Sequence, residues 1–107
     1  MTVSTPQEDM SHKVDTNRYL NFVNGVTSQP SQDTEAMIYR LQELAGNGAQ
    51  PERLMTAAVG LCAESGEFTE IVKKMVFQGK PYNKENVFHM KRELGDVCWY
   101  LAQACIA

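Results

Sequence analysis

Four stretches of this chain repeat their apolar residues at helical spacing, and none alternates them at the period of two that a half-buried strand requires. Tyr19, Phe22, Val23 and Val26 fall at i, i+3, i+4 and i+7, and Met37, Ile38, Leu41, Leu44 and Ala45 form a second stripe. Leu61, Phe68, Ile71 and Met75 share one arc of a third helix; Val97, Tyr100, Leu101 and Ala104 share one arc of a fourth. Asn47-Gly48 is a turn pair, but helical stripes flank it. The expected fold class is all-α, with a four-helix-bundle-like arrangement.

Local signals set the boundaries. Asp15 or Thr16 caps the first helix, and Ser28–Gln32, with Pro30 inside it, breaks it. The second helix starts near Asp33 or Thr34 and should stop at Gly46 in a left-handed conformation. Pro51 suits the first position of a third helix running to about Phe77, where its missing N–H goes unmissed. Gly79 and Pro81 end that helix. Asn83 caps the fourth, with Tyr82 and Val87 placed to staple its entry, and this helix should continue from Lys84 to the last residue. Residues 1–14 are polar and aperiodic and are expected to be an unfolded leader to a helical domain at 15–107.

Composition narrows the function. At 107 residues, 43% of them apolar, the chain can build one core. A net charge of -3 argues against a polymeric nucleic-acid partner, which normally meets a basic surplus. No apolar run approaches the roughly 18 residues of a membrane span, and no apolar stretch near the start resembles a secretory signal. Cys62, Cys98 and Cys105 are odd in number and lack paired spacing, so they read as core residues of a reducing, cytoplasmic compartment.

Four acids carry the chemistry. Glu64 and Glu67 form an E-x-x-E on the third helix, and Glu93 and Asp96 an E-x-x-D on the fourth. Residues three apart share a helix side, so each pair offers two carboxylates to one place. With Glu64 set at 0° and about 100° per residue, Ile71, Met75, Phe68 and Leu61 fall between about -20° and +60°, and Glu67 at about -60°. Ser65, Thr69, Glu70 and Lys73 take the solvent side. Glu93 and Asp96 repeat this placement among Val97, Tyr100 and Ala104. Burying four like charges uncompensated is very unfavourable. Hard oxygen ligands of this kind suit Mg²⁺ or Mn²⁺, which leave coordination positions open for phosphate oxygens. A di-iron bundle would use Glu-x-x-His, and no His lies three residues after a Glu here.

The segment 54–104, most clearly LCAESGEFTEIVKK (61–74) and RELGDVCWYLA (92–102), resembles the MazG-type all-α nucleoside triphosphate pyrophosphohydrolases, a superfamily that includes dimeric dUTPases and dCTP pyrophosphatases. Its E-x-x-E and E-x-x-D are parted here by the 25 residues Phe68–Arg92. The resemblance implies Mg²⁺-dependent (Mn²⁺ also serving) hydrolysis of a nucleoside triphosphate, ribo or deoxy, to monophosphate and pyrophosphate. Glu64, Glu67, Glu93 and Asp96 would be the metal ligands, with Glu64 or Glu67 as general base. A catalytically silent helical dimerisation or regulatory module that keeps a nucleotide or metal site is the rival expectation.

Secondary candidates are weaker. Lys74 sits beside the acid edge at about -80° and is the basic residue of this helix placed to meet phosphate. Arg92 serves equally as ion-pair partner or ligand contact, and Asn21 could hydrogen-bond a base edge. Lys80 and Lys84 could close over phosphates, and His89 lies one turn before Glu93. Trp99 and Tyr100 could stack on a base, but Trp99 points away from the acids and is assigned to packing. Residues 97–107 are apolar apart from Gln103, so a second subunit is expected to cover the side bearing Trp99 and Ile106, giving a homodimer or homotetramer. Family members usually continue into a further helical segment; either the chain is trimmed or a partner subunit completes the site.

Overall fold

A computed structural model describes residues 13–107, so 1–12 of the expected leader at 1–14 lie outside the described residues. The described chain is helical, with no strand: α1 (Thr16–Val26), a single 3-10 turn (Gln29–Ser31), α2 (Thr34–Gly46), α3 (Pro51–Phe77) and α4 (Lys84–Ile106). None of these helices is long and apolar enough to cross a membrane. The described residues fall into two compact units, 13–40 and 41–107.

In the first unit, Asp15 caps α1 by accepting from the Arg18 N–H at 3.0 Å. Gln32 anchors the end of that helix, its Nε2 donating to the carbonyls of Asn24 and Thr27. Asp33 Oδ2 accepts from the Ala36 N–H at 3.2 Å at the start of α2. The apolar stripe of α1 is exposed along its length.

In the second unit, α2 ends differently from the sequence expectation. Gly46 stays helical, and the left-handed residue is Gly48, at φ 98°. The Gly48 N–H donates to Ala45 O and the Ala49 N–H to Leu44 O, both at 3.1 Å, a Schellman closure of the last carbonyls. Placing the left-handed turn at Gly46 would have ended the helix before those carbonyls found donors.

α3 and α4 form an antiparallel hairpin, the only pair of helices packed along their length among the described residues. Gly79, at φ 71°, turns the chain after α3, and Asn83 caps α4 through the Asn86 N–H at 2.9 Å. Asn86 Nδ2 donates to Pro81 O at 2.7 Å and ties the connection to the helix start. Along the seam, Ala57 and Gly60 of α3 are buried, and a Cβ on Gly60 would collide with the Tyr100 ring. The expected arc follows on: Leu61, Glu64, Phe68, Ile71 and Met75 are half-buried, while Ser65, Thr69, Glu70 and Lys73 are exposed.

Two packing expectations fail. Cys62, Cys98 and Cys105 are free and exposed, not core residues, because each sits on a helix side with no element packed over it. Leu101 is also exposed, turned to the outer side of the hairpin.

Candidate metal centre

The hairpin brings three of the four acids together. One carboxylate oxygen each from Glu64, Glu67 and Glu93 lie within 4.8 Å of one another. The helix spacing explains this: Glu64 and Glu67 are one turn apart on α3, and Glu93 faces them from α4. Glu93 is the most deeply placed, at 5% exposure. Glu64 is half-buried and Glu67 open to solvent. Asp96, half-buried one turn after Glu93, stays outside the close group, yet its charge bears on Glu67.

Two oxygens in this group have no donor. Glu64 Oε2 and Glu93 Oε2 are buried without a hydrogen-bond partner. Ionised carboxylates only accept, so two that face each other need something between them, such as a shared proton or a cation. Without a cation the proton is shared. Its hydrogen bond to Glu93, with burial and the Glu67 charge adding, pushes the Glu64 carboxyl up to about 7. Glu67 is also raised, first by its hydrogen bond with Glu93 and then by the Glu93 charge. Glu93, receiving hydrogen bonds from Glu64 and Glu67, is held below its ordinary value despite burial.

The donor set fits a hard divalent cation. An ion with metal–oxygen distances of about 2.0–2.6 Å holds any two of its ligand oxygens no more than roughly 4–5 Å apart. The three oxygens here already meet that limit. A cation would give both orphaned oxygens a partner and take the place of the proton that Glu64 shares with Glu93.

The basic candidates fall elsewhere. Lys74 Nζ lies 3.8 Å from Glu70 Oε1, and Lys73 Nζ 3.3 Å from Glu70 Oε2, so Glu70 draws both lysines. Lys74 also lines a 410 Å³ hollow with Lys80 and Asn83 at the helix connection. Arg92 Nη2 reaches Glu93 Oε1 at 3.7 Å, the ion-pair role. His89 Nε2 lies 3.8 Å from Glu85 Oε1, not among the acids. Asn21 is exposed on α1 in the first unit, and the acidic group is built wholly within the second.

Sequence reasoning passed over Gly60. The signal was readable: a glycine inside a helix, about -40° from Glu64 and so on the acid side, marks a close approach. The Tyr100 ring fills that approach, setting the helix separation at which Glu93 meets Glu64 and Glu67. Comparison of the chain with protein-family profiles, curated proteins and solved structures found no match.

Proposed function

We propose that the protein is a divalent-cation-dependent nucleoside triphosphate pyrophosphohydrolase, releasing a nucleoside monophosphate and pyrophosphate. The observation that carries this is the pair of buried, donorless carboxylate oxygens on Glu64 and Glu93, set within a group of three acids from two helices. The bond cleaved follows from the resemblance of the E-x-x-E and E-x-x-D segments to that class of hydrolase.

In this reading Glu64, Glu67 and Glu93 hold Mg²⁺ or Mn²⁺, and Asp96 joins them when the cation draws the group together. The cation neutralises the polyphosphate and acidifies an attacking water. Glu67 is the better-placed general base, since it alone of the three is open to solvent. It takes the proton as the water oxygen attacks the α phosphorus, and the α–β bridging oxygen leaves with pyrophosphate. Arg92 holds Glu93 in register through its ion pair.

The same reading makes the protein a homodimer or homotetramer, because Phe88, Leu94, Leu101 and Ile106 of α4 are exposed. Its free cysteines suit a reducing, cytoplasmic setting. The exposed apolar surface also favours the rival, a silent helical assembly module. Incubation with a panel of nucleoside triphosphates and Mg²⁺ or Mn²⁺ separates them. Pyrophosphate release that Glu67→Gln abolishes supports the enzyme; no release from any triphosphate leaves the module.

A further inference from the structure

Beside the acids, the hairpin carries a second feature built from both helices. Glu52, Arg53 and Thr56 of α3 and Trp99 and Gln103 of α4 line a 230 Å³ cleft. That is less than the roughly 300–1,000 Å³ of a typical drug-sized site, so it suits a single ring system. Trp99, the chain's one tryptophan, is 56% exposed. It is braced edge-on by Tyr100, ring centroids 5.0 Å apart at 88°, and Tyr100 is seated in the space left by Gly60. Trp99 therefore lies at the edge of the hairpin, where both helices line the cleft.

The polar groups are unspent. Among the described residues the structure pairs neither the Glu52 carboxylate nor the Arg53 guanidinium with an opposite charge. The Thr56 hydroxyl donates to Glu52 O at 3.0 Å and keeps its lone pairs free to accept. A stacking indole, a carboxylate acceptor, a guanidinium donor and an amide match a planar heterocycle that carries donors and acceptors on adjoining edges.

Position ties this cleft to the acids. On α4, Asp96, Trp99 and Gln103 are i, i+3 and i+7, so they share one side, with Gln103 about 10 Å beyond Asp96 along the axis. On α3, Thr56 and Glu67 are eleven residues apart, within about 20° of one another around the helix. Glu67 and Asp96, the two outermost acids, thus open onto the side of the hairpin that bears the cleft.

We propose that this cleft is a base subsite selective for guanine. The proposal rests on the nucleotide reading of the acids, which would hold the phosphates of the same molecule. The base stacks on Trp99. Its N1–H and 2-amino group donate to Glu52, and O6 and N7 accept from Arg53. Thr56 flanks the ring on the side facing the acids, and Gln103 lies beyond Trp99 on the far side.

Trp99 is the sole tryptophan, so its fluorescence reports the cleft directly. GMP and UMP are titrated into the full chain in EDTA, which removes any cation contribution. GMP should quench saturably, with UMP at least roughly tenfold weaker. Glu52→Gln and, separately, Gln103→Leu should weaken GMP while leaving helix content and Mn²⁺ binding unchanged. No saturable quench by GMP, equal binding of GMP and UMP, or GMP affinity unmoved by Glu52→Gln overturns the subsite. Hydrolysis of triphosphates without a base-dependent Trp99 response removes the cleft and leaves the enzyme. A GMP response without hydrolysis of any triphosphate leaves the cleft and removes the enzyme.

Discussion

Gly60→Ala places a single methyl group where the Tyr100 ring lies. Gly66→Ala, six residues along the same helix, places it in open space. Both replacements gain about 1 kcal/mol of helix propensity. At Gly66 that gain stands alone, so the variant should be about 1 kcal/mol more stable. At Gly60 it opposes an overpacking cost of about 1–3 kcal/mol, for a net result between no change and a loss of about 2 kcal/mol. The difference between the two variants, about 1–3 kcal/mol, isolates the packing of Tyr100 on α3. Urea unfolding with constant m, at one protein concentration, measures it through the midpoint. Moving the ring also moves α4 from α3, so Gly60→Ala should bind Mn²⁺ more weakly and Gly66→Ala should not. Equal stabilisation by both variants would refute the close approach at Gly60 and the helix separation argued from it.

Without a cation, Glu64 is raised from 4.5 to about 7 and Glu67 is raised with it, so the folded state keeps protons that the unfolded chain has released. Stability of the metal-free protein should therefore fall as pH rises from about 5 to 7, with the full loss present above that. Glu93, held below its ordinary value, adds stability above that value and loses it only at more acid pH. Thermal melts in EDTA across this range, against the same melts in Mg²⁺, check the sign; a melting temperature that rises with pH in EDTA contradicts it. Hydrolysis in ¹⁸O water should place the label in the monophosphate, and mass spectrometry that finds it only in pyrophosphate excludes attack at the α phosphorus. Ile106→Glu puts a charge on a side chain that is 56% exposed in the single chain. Sedimentation should show it shifted toward monomer, whereas a wild type already monomeric at micromolar concentration removes the assembly argument.

Much of the fold was legible because its signals are local. The Asp15 and Asn83 caps and Pro51 at the start of α3 each act within one turn, and each lies where its side chain or ring predicts. The end of α2 was less legible because Gly46 and Gly48 are both able to terminate a helix, and the choice depends on which carbonyls the following N–H groups can reach. The acid side of α3 followed from periodicity, since Glu64 shares its arc with Leu61, Phe68 and Ile71. What periodicity lacks is distance. It ranks Glu93 and Asp96 alike, whereas the hairpin brings Glu93 into the group and leaves Asp96 at its margin. It also aimed Lys74 at the acids without weighing Glu70, one turn back, which draws it aside. The cysteines misled for another reason: their type favours burial, but a helix side is buried only where another element covers it.

Whether Glu64, Glu67 and Glu93 form a divalent-cation site is read from Mn²⁺ titration followed by electron paramagnetic resonance. Free Mn²⁺ gives a sharp six-line signal that binding suppresses. The wild-type chain should suppress it saturably and more strongly at pH 8 than at about pH 6, because Glu64 must release its proton to bind. Glu93→Gln, which keeps the shape and removes the buried charge, should lose that binding with its helix content intact. An undiminished free Mn²⁺ signal with the wild type, or equal suppression by Glu93→Gln, would contradict the site.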